Sequence, residues 1–166
     1  FPSTMTSVSS LRIVFQRVAS ASLRHTPDET PQCMHKGLVF YVSIGGNSNE
    51  NFISKSVEKL MKSLIWKDPE TNRASTVESC NVMIIPQAAL GGKLKGKRLQ
   101  YHSNISKDDA ERLYVHFCKE MKDKVEKLNE RPDFVPQIIC GQYAGLQMLK
   151  LDAEIGPNTH VLEFTE

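Results

Sequence analysis

The segment from residue 91 to residue 98 has the composition best suited to binding an anion. It reads Gly91-Gly-Lys-Leu-Lys-Gly-Lys-Arg98, so four of its eight residues are cationic and three are glycine. Glycine lets backbone N–H groups approach an anion, and Lys and Arg supply positive charge. The run nearly matches a phosphate loop, but Arg98 stands where the magnesium-binding hydroxyl is needed, so a nucleoside-triphosphate site is not expected.

We interpret this basic run as a surface that binds a nucleic-acid backbone, and a solvated basic turn is the alternative. Two residues that follow it, Tyr101 and His102, have rings that can stack on a base. The phosphate contacts would come from four residues of the run, Lys93, Lys95, Lys97 and Arg98.

Two further segments have the residue types of a ligand pocket. Pro86-Gln-Ala-Ala-Leu90 follows a predicted buried strand, and its small residues leave room beside Gln87, which both donates and accepts hydrogen bonds. Gly156-Pro157-Asn158-Thr159 lies between two predicted strands, and a cis or a trans X-Pro bond there would aim the carbonyl differently. For each segment an ordinary turn is the alternative interpretation.

Other catalytic chemistry has little support in the sequence. No G-x-S-x-G elbow occurs, although a spatial Cys–His pair stays open. The sequence contains no C-x-x-C and no H-x-x-x-H pattern, so we expect neither a metal nor an organic cofactor. The four cysteines, Cys33, Cys80, Cys118 and Cys140, are far apart and are expected to be free thiols in a reducing compartment.

Length and charge restrict the class of protein. The chain has 166 residues and a net charge of +2, which fits one domain and does not by itself indicate nucleic acid. We expect that domain over residues 11–166, with residues 1–10 a flexible N-terminal segment or an expression remnant. The longest apolar run is far shorter than a membrane span, and no signal-peptide core follows Met5. A cytoplasmic protein without a membrane partner is therefore expected.

The elements that would position these segments follow from hydrophobic periodicity. Alternating or continuous apolar patterns predict strands, and apolar residues at helical spacing predict two helices, the second one capped by Ser106. Their order favours an α/β fold with mixed β-sheets and two main helices packed on one face. The predicted strands are residues 11–18, 37–44, 81–85, 146–151 and 160–164, and the predicted helices are residues 51–66 and 106–128.

Taken together, these segments resemble the D-aminoacyl-tRNA deacylase family from Leu11 almost to Glu166. Several short motifs in the right order carry the resemblance, and they are far more specific together than any one alone. They are the Gln-Arg-Val of strand 11–18, Pro86-Gln-Ala-Ala-Leu90 in place of the family's Ser-Gln-Phe-Thr-Leu, Lys95-Gly96, and Gly156-Pro157 with Thr159.

Within that family the motifs of this sequence are more similar to those of the animalia-specific tRNA deacylase branch. Pro86-Gln87-Ala88, the Gly-Gly-x-Leu-Lys-Gly of residues 91–96 and the Gln-Tyr-His-Ser-Asn of residues 100–104 match that branch. Leu149-Lys-Leu-Asp152 is similar to it too, whereas the N-terminal strand reads more like the main branch.

The resemblance implies a homodimer with α/β/β layers that hydrolyses the ester joining an amino acid to the 3′ end of tRNA. The main branch removes D-amino acids and glycine, using a cis Gly-Pro inserted from the partner subunit. The animalia-type branch is associated with a trans Gly-Pro and with removal of small L-residues, notably L-alanine on threonine tRNA. We lean to the second branch.

The resemblance also implies roles for individual residues. Gln87, Ala88 and Ala89 would line the pocket floor as the catalytic segment. Gly156 and Pro157 would face the substrate's amino group, supported by Arg17, with Met148 as a further substrate-binding residue.

Residue 89 departs from the family pattern, because Ala89 replaces the usual threonine and has no hydroxyl. A nucleophile from this side chain is impossible, so we expect water to attack an ester that the protein orients, with backbone N–H groups near Ala88 and Ala89 stabilising the oxyanion. Two alternatives stay open: a non-catalytic RNA-binding module and a scaffold subunit that binds protein.

Overall fold

The computed structural model describes residues 8–67, 71–128, 134–153 and 158–166. Two helices and eleven strands occupy these ranges, together with short 3₁₀ turns over Val77–Ser79 and Ala88–Gly91. In chain order the elements are β1 Ser10–Arg24, β2 Gln32–Met34, β3 Gly37–Gly45, α1 Glu50–Lys62, β4 Leu64–Lys67, β5 Ala74–Thr76, β6 Asn81–Pro86, β7 Lys93–Lys95, β8 Arg98–Gln100, α2 Lys107–Lys127, β9 Ile138–Cys140, β10 Met148–Ala153 and β11 Thr159–Thr165.

The main sheet is organised around the long strand β1. The strand order is β10-β1-β3-β6-β9, with β2 and β11 also paired to β1. β1 runs antiparallel to β3, whereas β3, β6 and β9 are parallel to one another. The register of β1 against β10 shifts between Val18 and Ser20, and such an irregularity bends a strand. The first half of β1 therefore lies between β3 and β11, and its second half lies beside β10 and β2.

The hydrophobic core lies between this sheet and the two helices. Leu11, Ile13 and Phe15 of β1 alternate with more exposed residues, so one face of the strand is buried against α1 and α2. A smaller cluster that includes Val39 and Met83 covers the opposite face. β3 and β6 are therefore buried on both sides, as their nearly continuous apolar sequences predict.

Side-chain caps define where both helices begin. Asn49 accepts a hydrogen bond from the backbone N–H of Phe52 at 3.0 Å, and Ser106 accepts one from Asp109 at 3.3 Å. Such caps satisfy N–H groups that have no partner inside the helix. The predicted cap at Ser106 is confirmed, and the predicted mixed α/β fold with two main helices is confirmed as well.

The predicted end of α1 at residue 66 is wrong. The helix ends at Ser63, whose backbone is extended, and Leu64–Lys67 forms β4, which pairs with β5. Leu64 and Ile65 fit helical spacing, but the Leu64 side chain is 69% exposed, so it does not continue the buried face of the helix. Neither helix of the described ranges is long and apolar enough to cross a membrane.

Candidate functional site

The turn that follows β6 is fixed at the end of the parallel strands. The backbone N–H of Gln87 donates to the carbonyl of Val42 at 2.8 Å, which attaches the turn to β3. Ala88 and Ala89 then open the 3₁₀ turn with exposed side chains. The N–H groups at the start of a helical turn have no partner within it, and no side-chain cap occurs here among the described residues. These two N–H groups are thus placed to receive an acceptor.

Two side chains hold this turn from outside it. Asn104 donates through Nδ2 to the carbonyl of Ala88 at 3.0 Å. Arg12 donates to the carbonyl of Leu90 at 3.1 Å, while its other terminal nitrogen lies 3.0 Å from a carboxylate oxygen of Glu163. The ion pair is half exposed, so its own contribution to stability is small. Its geometric effect is to connect the turn to β1 and β11.

Backbone hydrogen bonds connect Asn104 and its neighbour to the end of β3. Asn104 forms a β-bridge with Gly45, and the neighbouring Ser103 carbonyl accepts from the N–H of Gly46 at 2.9 Å. A Cβ at Gly91 would collide with Oδ1 of Asn104, so only glycine permits this close approach. The turn, the end of β3 and residue 104 therefore form one rigid unit.

The basic run folds as a β-hairpin of β7 and β8. A two-residue turn, Gly96-Lys97, joins the strands, and Gly96 has a φ of 61°, which suits glycine at the first turn position. None of the basic side chains of this hairpin forms an ion pair with another residue in the described ranges. We call these four exposed residues, Lys93, Lys95, Lys97 and Arg98, the hairpin cations.

A cavity of about 990 Å³ opens between the hairpin, the 3₁₀ turn and the adjoining ends of β1, β3 and β11. Its lining combines basic side chains with polar groups and the side chains of two leucines, so it offers both positive charge and apolar surface to a ligand. The residues that matter for the argument are Arg12, Leu90, Lys93, Lys95, His102 and Glu163.

The structure brings some of the predicted tRNA-binding residues to this cavity. Lys93, Lys95 and His102 line it, whereas the side chain of Tyr101 packs against Gly92. Lys97 and Arg98 lie at the turn end of the hairpin and are exposed.

The predicted catalytic segment is adjacent to this cavity and does not line it. Its immediate successors, Leu90 and Gly91, do line the cavity. Ala88 borders a separate small cavity of about 30 Å³ together with Asn104 and Tyr114. Asn104 lines both spaces, so it lies between the catalytic segment and the large cavity.

The predicted substrate-binding residues lie elsewhere on the single chain. Arg17 is opposite Leu38 in β1, near the other end of β3 from Val42, and its guanidinium carbon is 4.8 Å from the ring centre of Trp66. Its backbone N–H donates to the carbonyl of Asn158 at 2.8 Å, next to the predicted Gly-Pro segment. Met148 pairs with Arg24 at the far end of β1. Gly156 and Pro157 lie outside the described residues.

A buried hydroxyl supports the sheet beneath the site. The hydroxyl of Tyr114 in α2 donates to the carbonyl of Gly141 at 2.7 Å, and the carbonyl of Ile84 lies 3.1 Å from the same oxygen. Burial raises the pKa of this hydroxyl far above its usual value. The pKa of the neighbouring Cys118 thiol is raised as well, because it contacts Cys140 and is buried.

All four cysteines are free thiols, as expected. Across the described residues, no three His, Cys, Asp or Glu side chains are grouped so that they could hold a metal ion.

The sequence interpretation missed Arg12, Glu163 and the hydrogen bond by which Asn104 holds the turn. Arg12 and Glu163 are ordinary exposed-face residues of strands in the sequence, and only the pairing of β1 with β11 places them together. Asn104 did carry a signal, because it closes the quoted motif of residues 100–104 and follows a run rich in glycine.

Solved structures show which class of fold this is. A probable eukaryotic D-amino acid tRNA deacylase superimposes with a TM-score of 0.76 at 20% identity, covering 95% of this chain and 100% of that chain. A c-Myc DNA unwinding element binding protein superimposes with a TM-score of 0.69 at 20% identity, covering 92% of this chain and 97% of that one. The chain therefore has the mixed-sheet fold of the deacylase structure.

Sequence comparison then gives the family. The model of the family described as D-Tyr-tRNA(Tyr) deacylase matches residues 14–163. D-aminoacyl-tRNA deacylase 2 of Danio rerio is 33% identical over 92% of this chain and 98% of its own length. The protein of the same name from Gallus gallus is 34% identical over 91% of this chain and 90% of its own length.

The chain belongs to the D-Tyr-tRNA(Tyr) deacylase family, a family of hydrolases that act on the ester bond of aminoacyl-tRNA. The resemblance found in the sequence motifs is confirmed.

Proposed function

We propose that this chain is a proofreading deacylase that hydrolyses the ester between a mischarged amino acid and the 3′-terminal adenosine of tRNA. One observation carries the proposal: the exposed turn of Gln87 to Ala89 is anchored to β3 and beside a large cavity bordered by hairpin cations. An RNA end held by these cations would have its terminal ester within reach of the turn.

The proposed chemistry uses water as the nucleophile. Ala89 has no hydroxyl, so the chain orients the ester and excludes wrong geometries, which alone lowers the barrier considerably. Water adds to the ester carbonyl, and the N–H groups of Ala88 and Ala89 stabilise the oxyanion. The C–O bond to the ribose then breaks. One proton of the water restores the adenosine hydroxyl, the other passes to solvent, and the amino acid leaves as a carboxylate. The neighbouring ribose 2′-OH activates or positions the water.

The proposed substrates follow from the family branch. The motif Pro86-Gln87-Ala88 favours small L-residues such as L-alanine on threonine tRNA, and the names of the animal relatives favour D-amino acids. Glycine belongs with the second group. In either case the small side chains of Ala88 and Ala89 leave space at the turn.

We also propose a cytoplasmic homodimer, in which the partner subunit completes the pocket. Arg17 and Met148 are remote from the Gln87–Ala89 turn within one chain, so their predicted substrate roles require a neighbouring subunit. Gly156 and Pro157 would then face the amino group of a substrate in the partner's cavity, with Arg17 supporting them.

The test is a deacylation assay on purified, folded protein. We expect release of amino acid from L-Ala-tRNA(Thr), from a D-aminoacyl-tRNA, or from both, and none above background from correctly charged L-Thr-tRNA(Thr). The ratio of the release rates from these two substrates shows whether the protein prefers L- or D-amino acids. Absence of release from every mischarged substrate at micromolar enzyme would overturn the proposal.

A non-catalytic RNA-binding module is the second candidate, and Ala89 is the observation that favours it. It predicts binding of tRNA without turnover. For the module, neither the unmodified protein nor an Ala89→Thr variant shows detectable turnover. For the deacylase, the unmodified protein already releases amino acid.

A further inference from the structure

Two exposed leucines face each other across the hairpin. Leu94 and Leu99 are directly opposite in the register of β7 and β8, and their side chains are 73% and 60% exposed. The leucines of β1 and β3, by contrast, are fully or almost fully buried. Such a cross-strand apolar pair on the surface calls for a partner, because burying it removes apolar area from water.

The surroundings of the pair specify the chemistry of that partner. Side chains alternate between the faces of a strand, so Lys93 and Lys95 flank Leu94 from the opposite face. Leu94 nevertheless borders the same large cavity as these two lysines. A ligand that packs on Leu94 therefore reaches the mouth of the cavity, where Lys93 and Lys95 supply positive charge.

We propose that Leu94 and Leu99 form an apolar platform on which bases of a single-stranded RNA end pack, while the hairpin cations hold its phosphates. Bases are flat, weakly polar surfaces that pack against apolar and aromatic side chains, and their backbone carries the negative charge that the cations need. The proposal rests on the RNA substrate proposed above. It assigns a base-packing role to two uncharged residues, which the search for cations does not find.

Interface area argues against a second copy of this chain. Two exposed leucines supply only a small part of the about 800 Å² per partner that a stable protein interface buries. An anionic membrane shares the requirement for apolar and cationic groups, but a bilayer surface does not enter a cavity of about 990 Å³ beside Leu94. We therefore argue for RNA and make the other occupants outcomes of the test.

The experiment compares two labelled strands in fluorescence anisotropy: an unacylated oligoribonucleotide with a single-stranded 3′ end, and a strand of equal length with abasic residues at that end. We expect the double variant L94S/L99S to bind the first strand roughly tenfold more weakly, from the loss of base packing. Its affinity for the abasic strand and its salt dependence should match the unmodified protein.

Two control variants make the result specific. L64S removes another leucine that is 69% exposed, on β4 and away from the hairpin, and should bind both strands normally. L94M/L99M keeps the apolar surface and should retain most of the affinity. Thermal melts of all variants establish that each is folded.

Several results would overturn the proposal. Equal weakening on both strands would make the leucines structural supports of the hairpin, and no weakening on either would make them bystanders. Loss of binding to phosphatidylserine vesicles with unchanged RNA affinity would assign a membrane. A changed sedimentation mass with unchanged RNA affinity would assign a second copy. Because the strands are unacylated, each result is independent of whether deacylation occurs.

Discussion

Asn104 shows how one side chain can hold the backbone of the candidate site in place. Its side chain donates to the carbonyl of Ala88, and its backbone bridges Gly45 at the end of β3. Its Oδ1 occupies the space that a Cβ at residue 91 would need, so the glycine there makes room for the amide. We regard it as a positioning residue, since the N–H groups of the turn depend on where the Ala88 peptide lies.

An Asn104→Ala variant should therefore lose rate more than affinity. We expect kcat to fall roughly tenfold, because small displacements of an orienting group are costly in rate, with KM nearly unchanged. The lost hydrogen bond is partly exposed and should lower the free energy of unfolding by about 0.5–1.5 kcal/mol. Steady-state kinetics and urea unfolding measure the two effects. Asn51→Ala, at an exposed position of α1, is the matched control. An unchanged kcat at lowered stability would reduce Asn104 to a structural residue.

Tyr114 provides a prediction of pH dependence. Burial raises the pKa of its hydroxyl above the usual 10.0, so above that pH the unfolded chain has lost a proton that the folded chain still holds. Stability is therefore full below pH 10 and decreases as the pH rises beyond it, by up to about 1.4 kcal/mol per pH unit from this group.

A Tyr114→Phe variant should be less stable at neutral pH by about 1–3 kcal/mol, because the Gly141 carbonyl loses its donor. Its stability should also decrease less steeply above pH 10 than that of the unmodified chain. Urea unfolding of both proteins between pH 8 and pH 11 measures the difference, and parallel curves would contradict the assignment.

At the scale of elements, the hairpin of β7 and β8 presents positive charge and contributes little to the stability of the fold. Its strands are exposed on every residue except Gln100, so it contributes little to the core. What it contributes is a fixed spacing of cations beside the cavity, set by a two-residue turn at Gly96. An irregular loop of the same composition would present the same charges without the spacing.

Neutralising the four hairpin cations should change the salt dependence of RNA binding. Each phosphate contact with a single strand contributes about 0.7 to the slope of log affinity against log salt, so the quadruple Gln variant should lose roughly 3 units. Filter binding over a range of salt concentrations measures the slope. A control variant neutralises four exposed lysines on other surfaces, Lys59, Lys67, Lys127 and Lys150. Equal slopes for both variants would mean that the hairpin is only a solvated turn.

At the scale of the whole molecule, the arrangement of β1 argues for a dimer. One strand carries Arg12 at the cavity and Arg17 five residues further along, beside Trp66. Arg17, which is expected to support substrate binding, is thus remote from the cavity that Arg12 lines. In addition, Val161 of β11 is 63% exposed opposite the half-buried Val14, so this pair is an apolar spot on an otherwise polar face of the strand that is available to a partner subunit.

We therefore expect sedimentation to give twice the chain mass of 18.7 kDa. A Val161→Asp variant should shift the protein to the monomer and abolish deacylation. In a two-fold symmetric interface the substitution buries one carboxylate from each subunit, so its cost is paid twice. Val115→Asp, at a 59% exposed position of α2, should leave both the mass and the activity unchanged. A monomeric unmodified protein would refute the dimer.

The sequence by itself determined the elements whose pattern is local. Strands β1, β3 and β6 and helix α2 follow from the spacing of apolar residues, and Ser106 follows from the chemistry of a cap. The prediction for β1 stopped at residue 18 because Ala19 to Ser22 has a weak strand preference. The basic run is predicted to be a binding segment from composition alone, because counting four cations and three glycines needs no tertiary information.

Tertiary structure decided everything that depends on pairing between distant segments. Residues 19–24 are strand because β2 and β10 hydrogen-bond to them, and Leu64–Lys67 is strand because β5 does. Asn104 meets Ala88, and Arg12 meets Glu163, only through the register of the sheet. Such contacts join residues far apart in the chain, and periodicity in a single sequence contains no information about which segments will pair.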